Sequence, residues 1–251
     1  MKKLYLIHHL GLGDHILCNG VYRNFAKQFD LCAIPVKQRN LTSVSHMLSD
    51  LKNVHIIGLE DAQADALMLQ QETHYKMLGF DIIKLGYYGK NFLNTSDVRY
   101  DASFYSQADL DFDKRWSDFY YPRDKEIEYN LFKKICGDNI KEGEYIFLHE
   151  DVRRGFKINR VLIKEDYPII TPGLNKQHTL GSTDDARFFD YGYIIENAAA
   201  IHCIESSFAA FIEGMELSPT LPKYAHRYAR PEASNDLRME FSYKTKWNIL
   251  T

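Results

Sequence analysis

Short apolar runs that alternate with helix-period segments constrain this chain more than any other feature of its sequence. Residues 3–8, 30–36 and 54–59 are apolar runs with little alternation, which is typical of parallel strands buried on both faces. Between them, residues 16–25 and 41–51 carry apolar side chains at helical spacing. This β-α-β-α-β order predicts an α/β fold built on a parallel sheet.

The same alternation begins again at residue 145, after a less regular middle region. The segments that we interpret as strands there are residues 145–148, 167–170, 200–204 and 221–224. The helices expected beside them are residues 125–136, 188–196 and 206–215, with a terminal helix from residue 236. We therefore predict two Rossmann-like domains, residues 1–140 and 141–251, with a ligand cleft between them at the carboxyl ends of the strands.

Residues 60–122 give weaker signals. Residues 61–71 have a helical pattern, whereas residues 75–88 fit strand or loop equally well. Residues 91–122 are rich in Tyr, Phe and Asp without a firm period, and we expect a partly helical cover or linker there.

Composition excludes several classes of protein. A formal net charge of -3 argues against a general nucleic-acid or anionic-membrane binder. The four cysteines are scattered without metal-ligand spacing, which predicts buried thiols in a reducing cytoplasm. No apolar stretch approaches the roughly 18 residues of a membrane helix. We expect a cytoplasmic protein that binds a small ligand.

The turn after the first predicted strand carries Gly11, Gly13 and Asp14, flanked by His9 and His15. It lacks the third glycine of the dinucleotide-binding fingerprint, so a nicotinamide cofactor is disfavoured. A carboxylate with imidazoles at a cleft mouth can deprotonate an acceptor hydroxyl. The alternative is a helix cap beside satisfied histidines, and the local residues leave both open.

The turn after residue 148 carries His149, Arg153, Arg154, Gly155 and Lys157. Guanidinium groups bind phosphate bidentately, and glycine allows close backbone approach, so the turn fits an anion site. A solvated loop with internal ion pairs fits equally well.

A third candidate site is Glu205, Ser206 and Ser207, where a strand leads into a helix. Two hydroxyls and free amides at a helix start can hold phosphate, although a simple helix cap has the same pattern. No nucleophile elbow supports a hydrolase. No acidic metal triad is present; the Asp184–Asp185 pair fits a cap or a ribose contact.

Three segments resemble known families. HHLGLGDHILCNGVYRNFAK is similar to the opening of GT-B glycosyltransferases, especially the heptosyltransferase-like group, whose first strand ends in a Gly-x-Gly-Asp turn. LHEDVRRGFK resembles the His-x-Arg-Arg-Gly-Asp motif of GDP-fucose-dependent fucosyltransferases, with Phe156 where the motif has aspartate. ENAAAIHCIESSFAAFIEGM resembles the segment near the C-terminus of both groups, where hydroxyl side chains meet the donor phosphates.

The resemblance implies a GT-B-like glycosyltransferase that moves a hexosyl or deoxyhexosyl group from a nucleotide-diphosphate sugar to a hydroxyl of a glycan or glycoconjugate. A GDP-sugar is favoured as donor. The chemistry would be inverting and metal-independent, with no cofactor and no nucleic-acid partner. A non-catalytic nucleotide- or phosphosugar-binding protein of the same fold is the alternative.

The resemblance also implies roles for individual residues. Asp14 would be the general base, and His9 or His15 would orient the acceptor beside Gly11 and Gly13 in the N-terminal domain. The C-terminal domain would bind the donor through one set of residues: His149, Arg153, Arg154, Gly155, Lys157, Glu205, Ser206 and Ser207.

Overall fold

The computed structural model describes residues 1–90, 99–172, 186–230 and 241–251. Contacts divide the chain into two compact units. The first is Met1–Pro122 with Arg238–Ser242, and the second is Arg123–Leu237 with Tyr243–Thr251. Each unit contains its own parallel sheet, as the alternating sequence pattern predicts.

The sheet of the first unit has the order β3-β2-β1-β4 in the described residues. Its strands are β1 (Lys3–Ile7), β2 (Leu31–Lys37), β3 (Val54–Leu59) and β4 (Asp81–Lys84). Its helices are α1 (Leu12–Leu17), α2 (Asn19–Gln28), α3 (Leu41–Met47), α4 (Ala64–Met77), α5 (Tyr100–Gln107) and α6 (Lys114–Ser117).

Strand β1 is the centre of this unit. Leu4 lies beside Cys32 of β2 on one side and beside Asp81 of β4 on the other. Leu4 to Ile7 are at most 1% exposed, because neighbours cover both faces of the strand. Full burial of one such aliphatic side chain contributes about 1.5–3 kcal/mol, so β1 holds the unit together.

The sheet of the second unit has the order β6-β5-β7-β8-β9, and its registered pairs are parallel. Its strands are β5 (Ile146–His149), β6 (Ile169–Ile170), β7 (Ala200–Cys203), β8 (Lys223–His226) and β9 (Asn248–Leu250). Its helices are α7 (Lys125–Cys136), α8 (Gly192–Glu196) and α9 (Ser207–Gly214).

The structure places the division between units at Pro122, not at residue 140. Helix α7 belongs to the second unit because its apolar face packs there. The Phe132 ring lies 5.7 Å from the Tyr145 ring and 5.5 Å from the Tyr193 ring, measured between centroids. Helical periodicity identified α7, but it did not show on which core the helix packs.

The predicted terminal helix is wrong for its described part. Residues 241–247 are not helical, and β9 pairs with β8 through Ile249 and Ala225. The Trp247 indole N–H donates to Glu213 Oε1 at 2.7 Å, which fixes the chain just before the strand. Residues 236–240 lie outside the described part of the chain.

A segment near the C-terminus is bound inside the first unit. The backbone N–H and the hydroxyl of Ser242 each donate to the buried Asp101 carboxylate at 3.0 Å. Arg115 forms an ion pair with Asp101 and donates to the Ser242 carbonyl oxygen at 3.1 Å. These hydrogen bonds offset part of the cost of burying the charge pair.

The four cysteines are buried free thiols, as expected. None of the helices in the described part of the chain combines the length and the apolarity that a membrane crossing requires.

Candidate functional site

The first unit has a topological switch point at β1. The chain runs from β1 to β2 on one side, whereas β4 pairs with β1 on the other side. Ligands of open α/β sheets bind at the carboxyl ends of strands where the order reverses in this way. His9 follows β1 and Tyr87 follows β4, and the His9 Nε2 atom accepts the Tyr87 backbone N–H at 2.9 Å.

Asp14 lies beside this switch point, in the first turn of α1. The helix begins at Leu12 and not near His15, so Asp14 is its third residue. One Asp14 oxygen accepts the Gly11 backbone N–H at 3.2 Å. The other accepts the Tyr100 hydroxyl at 2.6 Å. The carboxylate is therefore held in one orientation by two donors.

Gly11 allows the close approach of this carboxylate. A Cβ atom at position 11 would lie 2.6 Å from Asp14 Oδ2, closer than real contacts allow. Gly13 lies between Gly11 and Asp14, in the first turn of α1. The two glycines and the aspartate therefore belong to one helix start.

His15 cannot contact an acceptor in this structure, which revises the role expected for it. Its side chain is fully buried, and its Nδ1 atom is 2.7 Å from the Tyr22 hydroxyl. The same hydroxyl is 2.8 Å from Nε2 of the buried His8. Burial lowers the pKa of both imidazoles, that of His8 to about 3. This cluster belongs to the core.

His9, by contrast, lies half-buried at the edge of the site. Desolvation lowers the pKa of His9, so the ring is neutral near pH 7. Aromatic rings surround it with centroids 4.5–6.0 Å away: Tyr87, Tyr88, Tyr100 and Phe104. Sequence reasoning missed these residues because the segment around Tyr100 has no clear period.

The second unit has its own switch point at β5, which lies between β6 and β7. His149 ends β5, and Ser206 follows β7. The Ser206 hydroxyl lies 2.9 Å from His149 Nδ1. Burial lowers the pKa of His149 to about 4, so this imidazole is a neutral hydrogen-bonding group near pH 7.

Ser206 occupies the N-cap position of α9, but its side chain does not cap the helix. The hydroxyl contacts His149 instead. The first amides of α9 are therefore without a Ser206 cap, and such amides favour an anion. The half-buried Ser207 begins the helix beside them.

The charged turn after β5 is tightly folded. Asp151 and Phe156 exchange two backbone hydrogen bonds at 3.0 and 2.9 Å. Gly155 has φ +81°, a conformation that favours glycine, so its role is to close this turn. Arg154 Nε donates to Asp151 Oδ2 at 2.7 Å, so the internal ion pair expected as an alternative is present for this arginine.

Arg153 and Lys157 project from the same turn with exposed side chains. Just beyond it, Arg160 forms a two-point ion pair with Glu150, with N···O distances of 2.7 and 3.1 Å. Glu150 also accepts the Ile158 backbone N–H at 2.7 Å. The base of the turn is thus fixed, while its tip presents basic side chains.

Glu205 is a buried carboxylate beside Ser206. Its Oε1 atom accepts from Arg227 at 2.9 Å and from the Tyr243 hydroxyl at 3.0 Å. Its Oε2 atom is buried and has no hydrogen-bond partner among the described residues. Arg230 donates to the Glu205 carbonyl oxygen at 2.5 Å. The sequence could have indicated this cluster, because Arg227 and Arg230 follow β8, a parallel strand.

Within the described ranges, no three His, Cys, Asp or Glu side chains converge as a metal site would require. Asp184 and Asp185 lie outside those ranges. A surface cavity of about 430 Å³ opens elsewhere in the first unit, between the end of α2 and the chain before β3. Its lining includes Arg23 and Asp50, an ion pair at 2.8 Å, and it lies at the sheet edge away from the switch point.

No protein-family model and no curated protein matches the sequence. Among solved structures, the chain is similar to the glycosyl transferase family 9 protein from Veillonella parvula DSM 2008. The TM-score is 0.54 at 9% sequence identity, over 89% of this chain and 80% of that protein. At this identity the likeness shows the fold: a mixed α/β architecture with parallel sheets, shared with a glycosyltransferase.

Proposed function

We propose that this protein is a glycosyltransferase that moves a sugar from a nucleotide-diphosphate sugar to an acceptor hydroxyl. The observation that carries the proposal is a glycosyltransferase-like fold with hydrogen-bonded polar groups at both switch points. One switch point has Asp14, and the other has His149 with Ser206. Open α/β sheets bind ligands at these edges.

Asp14 is the proposed general base of the first unit. The Gly11 amide and the Tyr100 hydroxyl orient its carboxylate, and each carboxylate oxygen can accept more than one hydrogen bond. The acceptor hydroxyl would give its proton to Asp14 as its oxygen attacks the anomeric carbon. His9 would contact the acceptor, whereas the buried His15 is left out of the proposed site.

The second unit would hold the donor. The exposed Arg153 and Lys157 and the first amides of α9 would neutralise the charge that develops on the leaving nucleotide diphosphate. Arg154 would contribute less charge, because Asp151 partly neutralises it. Ser206 and Ser207 would add hydrogen bonds to phosphate oxygens.

Glu205 would recognise hydroxyl groups of the donor. A buried oxygen that lacks a hydrogen-bond partner costs about 1–3 kcal/mol, and Glu205 Oε2 is such an oxygen. A hydroxyl group of the nucleotide sugar that donates a hydrogen bond to Oε2 would remove this cost. The proposal extends to a GDP-sugar donor and inversion at the anomeric carbon, which the family resemblance implies. It also extends to metal-independent chemistry and a cytoplasmic location, which the missing acidic triad and the scattered cysteines predict.

The function is tested by binding and turnover together. Calorimetry with GDP, UDP, CDP and dTDP identifies the nucleotide, and the matching nucleotide sugars are then assayed for hydrolysis and transfer. We expect Asp14→Asn to lower turnover by about 10²–10⁴-fold, because an amide cannot accept the proton. Nucleotide affinity should stay at the parental value, since the donor residues belong to the second unit.

Asp118→Asn is the matched control. Asp118 is also half-buried in the first unit and accepts a hydrogen bond from Asn24 at 2.9 Å, but it lines the cavity away from the switch point. The Asp118→Asn variant should have the turnover of the parent. Equal turnover of parent and Asp14→Asn would remove the base from the mechanism.

A non-catalytic nucleotide- or phosphosugar-binding protein is the second candidate. The observation in its favour is that both Asp14 oxygens already have hydrogen-bond donors, as in a purely structural helix start. Nucleotide binding without Asp14-dependent turnover would support this candidate. Binding of none of the four nucleotides would exclude both.

A further inference from the structure

Tyr87 is an exposed aromatic ring at the edge where the first unit presents Asp14. Its exposed fraction is 53%, and it follows β4, the edge strand that pairs with β1. It belongs to the short helical turn Gly86–Tyr88, one residue beyond the end of β4. The turn lies at the switch point, where sheets of this kind bind ligands.

The backbone that carries this ring is held on both sides. Gly86 has φ +66°, and a Cβ atom there would lie 2.5 Å from the His9 ring. Gln107 accepts the Gly86 N–H at 2.6 Å and donates to the Gly86 carbonyl at 3.2 Å. The next amide, that of Tyr87, donates to His9. An exposed ring is thus presented on a fixed backbone, as binding sites require.

The ring is also close to the proposed base. Its centroid lies 4.5 Å from that of His9 and 5.8 Å from that of Tyr100. The Tyr100 hydroxyl is the group that contacts the Asp14 carboxylate at 2.6 Å. A molecule that stacks on Tyr87 is therefore separated by that ring alone from Tyr100, the residue that contacts Asp14.

The chemistry around Tyr87 selects among molecules that could rest on it. A pyranose has an apolar C–H face that packs on an aromatic ring and peripheral hydroxyls that can reach a carboxylate. The Asp14 carboxylate repels phosphate and carboxyl groups. The neighbouring His9 is neutral because burial lowers its pKa. An uncharged sugar ring fits this combination better than a nucleotide or an acidic sugar.

We propose that Tyr87 is the stacking surface for an uncharged sugar ring of the acceptor, which presents its hydroxyl to Asp14. This inference rests on the proposed function, because it assigns the acceptor class of that reaction. It adds a recognition residue that the sequence motifs do not contain.

Saturation-transfer NMR tests it directly. The probes are methyl glycosides of galactose, glucose and mannose, with methyl glucuronide as the charged comparison. Ring protons of at least one neutral glycoside should receive saturation from the parent protein, and the glucuronide should receive less. Tyr87→Ala should weaken that signal about fivefold, and Tyr87→Phe should retain it because the ring remains.

Tyr120→Ala is the matched control, since Tyr120 is 52% exposed in the same unit but lies against Arg23. Its signal should equal that of the parent. Equal signals from parent and Tyr87→Ala, or no saturation of any neutral glycoside by the parent, would overturn the proposal. A comparison of thermal melting shows whether Tyr87→Ala is folded, and Tyr87→Phe keeps the test valid if it is not.

The two proposals fail separately. Glycoside binding that depends on Tyr87 but is accompanied by no nucleotide binding would refute the transferase and leave the sugar site in place. Nucleotide binding at parental strength in Tyr87→Ala, with unchanged glycoside signals, would refute the sugar site alone.

Discussion

The buried imidazole of His8 should make the first unit acid-sensitive, and the size of the effect follows from its environment. Burial and the neighbouring His9 lower its pKa to about 3. An imidazole in an unfolded chain has a pKa of about 6.5, so below that pH the unfolded state binds the extra proton. Stability is therefore fully present above about pH 6.5 and is lost as the pH falls toward 3.

The pH of 5 lies about 1.5 units below the unfolded-state pKa, and each unit costs about 1.36 kcal/mol. The free energy of unfolding at pH 5 is therefore lower by about 2 kcal/mol from His8 alone. The buried His15, whose pKa is also lowered, adds to it in the same direction. The measurement is urea unfolding at about pH 7 and pH 5. Trp116 fluorescence reports the first unit in a Trp247→Phe background.

His8→Gln should reduce the loss between these pH values by about 2 kcal/mol, whatever its effect on stability at pH 7. The exposed His55→Gln is the control and should lose as much as the parent. If parent and His8→Gln lose the same free energy on acidification, His8 is not held neutral by burial.

Two further predictions concern the donor. Arg153→Ala should weaken nucleoside-diphosphate binding by about 1.5–3 kcal/mol, as for a hydrogen bond to a charged group, and Arg154→Ala should weaken it less, because Asp151 partly neutralises that arginine. Calorimetry at rising salt should show weaker binding in the parent too. Lys125→Ala is the control and should bind like the parent, because it removes an exposed cation of the same unit that is paired with Glu196. Parental affinity in both arginine variants would refute the donor assignment. Transfer should persist in excess EDTA, because basic side chains rather than a cation are proposed to hold the diphosphate; complete loss that manganese or magnesium restores would establish a metal-assisted reaction.

Local patterns in the sequence predicted local structure well. Strand β3 and helix α7 have the predicted bounds, Val54–Leu59 and Lys125–Cys136, because apolar spacing and turn residues act within a few residues. The end of the chain was wrong because β9 depends on pairing with β8, and pairing with a distant partner leaves little local signal.

Residues of the candidate site could be predicted from the sequence only where they lie in the connection that follows a strand. Ser206 lies three residues after β7 and Asp14 lies in the first turn of the helix that follows β1, and the structure places both beside switch points. Tyr100 is 86 residues from Asp14, and nothing in its own segment indicates that contact. The partner of Glu205, Tyr243, lies 38 residues away, beyond an entire strand.

The binding of Ser242 inside the first unit has a consequence for biosynthesis. Arg115 and the serine are 127 residues apart. At roughly 5–20 residues per second, the ribosome would take about 6–25 s to make the intervening chain. During that interval the Asp101 carboxylate lacks two of its hydrogen-bond donors, so the nascent first unit is incomplete while the second is being made. A chaperone that binds the incomplete first unit would act during this interval.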